Sequence, residues 1–167
     1  MLRGLTEIIT NVNRYWIHTL LVVTTVLFII QTWWALWDFN VVASWTLPAF
    51  LLCLSVTMCL FVMAHVLVPT TRTADIDWQP YYEKVNRWYF TAFVVMASLG
   101  IGITYSLLGT PLLHPYRIFQ ASFMILSLIA LAKNDRQAHG IIVVLILLVL
   151  LISQFSVRFA PGALATN

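Results

Sequence analysis

The sequence predicts an all-α fold: a polytopic transmembrane helix bundle with five spans, its N-terminus cytoplasmic and its C-terminus outside. Three observations predict it. Of 167 residues, 61% are hydrophobic and 9% charged, where a soluble domain has roughly 45–50% and about 25%. That balance excludes a soluble enzyme, a nucleic-acid-binding module and a disordered tail. Five apolar runs then fall at about 15–37, 46–68, 88–108, 116–132 and 139–157, each near the ~20 residues that a bilayer crossing needs. They must be helices, because an open strand would leave backbone groups unsatisfied in lipid. Finally, the basic residues divide unevenly. Five spans put Arg3, Arg14, Arg72, Lys84, Arg87, Lys133 and Arg136 on one side, and Arg117 and Arg158 on the other. An excess of Lys and Arg marks the cytoplasmic side.

Residues 1–14 carry Leu2, Leu5, Ile8, Ile9 and Val12 at helical spacing, with Arg3, Glu7 and Asn11 elsewhere on the wheel. They read as an interfacial amphipathic segment. The first run is too long for a signal-peptide core and meets Trp33, Trp34 and Trp37 rather than a cleavage site, so it is expected to be retained. Thr46 or Ser44 can cap the second helix, with Pro48 in its first turn and Pro69 after its end. Cys53 and Cys59 lie on different faces of that helix and are expected to be unpaired packing residues. Asp77 or Gln79 can cap a helix with Pro80 in its first turn, leading into the third span. Trp78, Tyr81, Tyr82, Trp88 and Tyr89 on that segment are expected to float it at the headgroups. Pro115 suits the first turn of the fourth helix, the shortest run, and Asn134-Asp135 make the next turn. The fifth, the most apolar, is expected to meet lipid over much of its surface. Residues 158–167 form a short tail.

No acidic residue and no Lys or Arg falls in mid-membrane, which argues against proton-coupled transport. Histidine is the remaining chemistry there. His18, His65 and His139 share a depth near the cytoplasmic face, so a transition metal or haem is one possible ligand of the three. The plainer reading makes each an amphipathic ring at a helix end, with no cofactor. Polar stripes run along the first helix (His18, Thr25, Thr32) and the third (Thr91, Ser98, Tyr105). Ser98-x-x-x-Gly102 is a small-residue pattern that permits close helix approach. These stripes either line a polar cavity between the two helices or make interhelical bonds. Gln31, Gln120 and Gln154 are costly in lipid and should face this bundle or a second subunit. Asp38 and Arg117, both at the outer edge, either pair or each face water alone.

Gln31-Thr32-Trp33-Trp34-Ala35-Leu36-Trp37, together with Asp77 to Tyr82 and Asn86-Arg87-Trp88-Tyr89-Phe90, resembles a group of small multi-span bacterial membrane proteins of uncharacterised function. The resemblance covers under a fifth of the chain. It implies a bacterial inner-membrane location and no activity.

The expectation is therefore a protein without enzymatic activity, an oligomeric or accessory subunit of a membrane complex. Its partners are the lipid bilayer and itself or another membrane protein, not nucleic acid. A small-solute or ion channel, and a haem- or metal-binding membrane protein, are the alternatives.

Overall fold

Helix starts in this chain follow local chemistry closely. In the computed structural model, which describes residues 15–69 and 77–156, the Thr46 hydroxyl accepts from the Ala49 amide at 3.4 Å, with Pro48 in the first turn. Asp77 Oδ1 accepts from the Gln79 amide at 3.2 Å, with Pro80 just beyond. Asp135 Oδ2 accepts from the Ala138 amide at 2.9 Å. Each cap supplies an acceptor to a helix-end amide that has no intrahelical partner. The resulting order is α1 (Trp16–Ala35), a 3-10 helix (Leu36–Val41), α2 (Leu47–Val66), α3 (Trp78–Leu108), α4 (Tyr116–Ala132) and α5 (Arg136–Ser156). Pro115 takes the N-cap position of α4 rather than its first turn. α3 stops at Gly109, whose φ of +64° is the left-handed conformation that helix ends favour in glycine. Segments 1–14 and 158–167, with the interfacial-helix and tail readings, lie outside the described residues, as do Arg72 and Arg158.

Consecutive helices are antiparallel and the bundle closes on itself. α3 packs against α2 and α4 and touches α1, while α5 packs between α4 and α1. α1 and α5 run parallel. Gly140 at the start of α5 lies against Trp16 and Ile17, and Gln154 near its end shares a groove with Gln31. One end of the bundle thus gathers Tyr15, Leu67, Trp78, Lys133 and His139, together with Lys84, Arg87 and Arg136; we call it the basic end. The distal end holds Trp33, Trp34, Trp37, Trp45 and the α3–α4 connection. Between them Phe28, Phe93 and Phe123 pack edge-on or tilted with centroids 4.9–5.9 Å apart, an arrangement favoured by the ring quadrupoles.

Among the described residues, four helical segments are long and apolar enough to cross a membrane: Trp16–Val41, Leu47–Val66, Trp78–Leu108 and Arg136–Ser156. α4 is apolar but has only 17 residues.

Most of the apolar stretch of α5 stays unburied, 39% of it being buried, against 17% for α2. α5 is wedged between two neighbours, whereas α2 buries only Leu60, Met63 and Ala64 near its C-terminal end. Two expectations are corrected. The aromatic segment at the start of α3 does not float at the headgroups. Trp78, Tyr82 and Tyr89 are at most 4% exposed, and Trp88 alone of the five stands well out, at 71%. Because α3 is 31 residues long, its first turns extend among the ends of α1, α2 and α5, where these rings pack. Lastly, Asp38 does not face water, being 3% exposed within the 3-10 helix.

Candidate functional site

The polar residues fall into three groups along the bundle. At the basic end, aromatic and imidazole side chains satisfy the carbonyls that close two helices. The last carbonyls of a helix have no intrahelical donor. At the end of α2, the Tyr81 hydroxyl donates to the Val66 carbonyl at 2.8 Å, and His18 Nε2 donates to the Leu67 carbonyl at 3.0 Å. Just beyond the end of α4, His139 Nε2 lies 2.8 Å from the Lys133 carbonyl. A carbonyl only accepts, so Nε2 carries the hydrogen. In the neutral ring Nδ1 then accepts from the Tyr82 hydroxyl, 2.6 Å away. His18 stacks obliquely on Trp78 at 4.9 Å. Beside this knot opens a polar pocket of about 350 Å³, lined by Tyr82, Asn86, Arg87, Asn134, Asp135 and His139. The Glu83–Arg136 ion pair, at 3.6 Å, lies at its exposed rim.

The three histidines are not brought together. His65 is exposed and stacks on Phe61 of its own helix, with centroids 6.0 Å apart. His139 uses both ring nitrogens in hydrogen bonds. Among the described residues, no group of three His, Cys, Asp or Glu side chains is placed to hold a metal ion. Cys53 and Cys59 are both free.

At mid-depth the two polar stripes separate. Thr25 donates to the Leu21 carbonyl at 2.8 Å, which leaves the Tyr89 hydroxyl to donate to Thr25 Oγ1 at 3.0 Å. This bond ties α1 directly to α3. Thr32 turns back onto the Phe28 carbonyl. Thr91, Ser98, Gly102 and Tyr105 lie on the opposite, exposed face of α3, so the stripes do not enclose a common cavity. Nothing lies within 4 Å of the position a Cβ would take on Gly102.

At the distal end Arg117 is buried and organises the α3–α4 connection. Its Nη1 donates to Thr104 Oγ1 at 2.6 Å, Gln120 Oε1 at 2.7 Å and the Ile101 carbonyl at 3.3 Å. Nη2 reaches the Thr110 carbonyl at 2.8 Å, and Nε the Pro111 carbonyl at 3.3 Å. Asp38 is buried at this same end. Gln31, Gln120 and Gln154 all turn at least partly into the protein. The carboxamide oxygen of Gln31 and the nitrogen of Gln154 are buried without hydrogen-bond partners among the described residues.

Residue spacing alone overlooked Tyr82, Tyr89 and the role of Arg117. Tyr82, Val85, Tyr89, Phe93 and Met96 recur three or four residues apart, which marks a buried helix face. That repeat was the available signal for the two tyrosines. Arg117 stands one residue into α4 and shortly after the Gly109 stop, and only the folded loop shows what it holds.

No family model, no curated protein and no solved structure matches the chain.

Proposed function

We propose that this is a non-catalytic integral membrane subunit that crosses the bilayer five times and assembles with a second copy of itself through the outward face of α3. The observation that carries the reading is the Ser98–Gly102–Tyr105 face with Thr91. It sets polar and small residues outward from a helix at membrane depth, with open space above Gly102. In hydrocarbon a Gly-centred face lets a second backbone approach closely, and helix pairs in membranes associate through such contacts.

Five crossings are supported by the depth that α4 shares with α3. Arg117 meets Thr104 at one end, and Asn134 accepts from Arg87 at 3.5 Å at the other. The Arg87–Thr104 stretch of α3 is about 26 Å long at 1.5 Å per residue, close to a hydrocarbon core of ~30 Å. The concentration of Lys84, Arg87, Lys133 and Arg136 at the basic end supports a cytoplasmic location for that end. The inner-membrane location rests on the sequence resemblance.

The test is disulfide trapping in membranes with Cys53 and Cys59 replaced by serine. A Gly102→Cys variant is expected to form a dimer on mild oxidation, whereas cysteine at Leu148 on the exposed face of α5 is not. A strictly monomeric protein in both trapping and light scattering overturns the reading.

A further inference from the structure

We infer that the partly open cavity between the distal halves of α1 to α4 binds a membrane-dissolved molecule with a hydroxylated ring, a phenol or quinol headgroup, that enters between α1 and α2. The cavity measures about 130 Å³ and is lined mainly by apolar side chains. An apolar cavity of ~150 Å³ holds a benzene molecule, so the space suits one ring. Phe28, Phe93 and Phe123 form an aromatic wall, against which a ring gains edge-on contact.

Two carboxamides give the cavity its chemistry. Gln120 is only 7% exposed and lines it. Arg117 has donors only, so the Gln120 atom 2.7 Å from its Nη1 is the oxygen. The amide nitrogen is thereby turned the other way, toward Gly100, and is 3.6 Å from where a Cβ on that glycine would sit. Gln31 lines the same cavity, and its buried oxygen has no donor among the described residues. The site thus offers one donor and one acceptor in an apolar surround, where leaving either unmade is costly. A hydroxyl answers both, since it accepts from Gln120 Nε2 and donates to Gln31 Oε1. A ketone or ether answers only the first.

The route in is the seam between α1 and α2. Thr32, Leu36 and Thr57 line both the cavity and a second groove along the surface of these two helices. On α2 this groove runs over Thr57, Leu60, Phe61 and Ala64, and it meets the cavity at Thr57. A ligand's alkyl tail would lie there in lipid.

The test measures saturable binding of radiolabelled 4-octylphenol to the full-length protein in lipid nanodiscs, with competition by 4-octylanisole and octylbenzene. The expected order of affinity is phenol, anisole, benzene. Gln31→Leu is expected to weaken the phenol on the order of two- to tenfold, the range of one neutral hydrogen bond, while leaving the anisole unchanged. Ala97→Phe, which fills the cavity, should abolish saturable binding of all three while the protein keeps its helicity and elution volume. Equal affinity for the phenol and octylbenzene overturns the proposal, as does full binding by Ala97→Phe. Because Gln31 also faces the α1–α5 groove, loss of binding in Gln154→Leu but not in Gln120→Met would move the site there and overturn it as well.

Discussion

His139 and His65 are the same residue type at similar depth, and they differ in what depends on them. Replacing His139 by Phe strands the buried Tyr82 hydroxyl, at about 1–3 kcal/mol, and leaves the Lys133 carbonyl to water. A clear drop in the thermal midpoint in detergent is expected. His139→Gln, which keeps a donor and an acceptor, should recover part of it. His65→Ala removes an exposed ring stacked on Phe61 and should fall within about 0.5 kcal/mol of the parent. Arg117 belongs at this scale too. Its planar fork reaches acceptors on Ile101, Thr104, Thr110, Pro111 and Gln120, a set that one lysine ammonium cannot span. Both Arg117→Met and Arg117→Lys should free the 109–115 connection, seen as faster protease cleavage there than in the parent.

At the scale of elements, the seat of α1 on α5 is set by Gly140. A Cβ at that position would stand 2.8 Å from the Trp16 ring and 3.4 Å from Ile17. The Trp16 ring is half exposed and can swing aside, so Gly140→Ala should cost little. Gly140→Leu forces the helices apart, and about 1–3 kcal/mol is expected from overpacking, measured by thermal unfolding in detergent. Elements were also the most legible level of the sequence. Thr46, Asp77 and Asp135 declare helix starts because a cap is a matter of a few neighbouring residues, and the 116–132 run became α4 with the same limits. Which way each helix faces was not legible at the same level. A tyrosine ring suits a headgroup boundary or a buried hydrogen bond equally well, and the choice for Tyr82 and Tyr89 was made by His139 and Thr25, 57 and 64 residues away in sequence. Likewise the apolar character of α5 did not distinguish a lipid-facing surface from one packed on α1 and α4, and the histidines' shared depth did not carry information on whether their rings converge.

For the whole molecule, the parity of crossings is the decisive prediction. Tyr15 and Ser156 stand at opposite ends of the bundle, so a phosphatase fused after Asn167 should be active outside the cell and a fluorescent protein at the same place dark; a fused fluorescent protein that glows overturns the five-span topology. The closure of α1 onto α5 has a further consequence, in the order of biosynthesis. The basic end of α1 is seated by Trp78 and by Gly140, so its neighbours appear long after it has left the ribosome. At about 5–20 residues per second, roughly 6–24 s separate synthesis of His18 from that of Gly140. For part of that interval Thr25 lacks Tyr89, and throughout it the α5-facing side of α1 stays open to lipid or to the insertion machinery. The last of the described helices to be made is thus the one that completes the packing of the first of them, and a ribosome stalled before α5 leaves behind a chain whose unfinished side is already in the membrane.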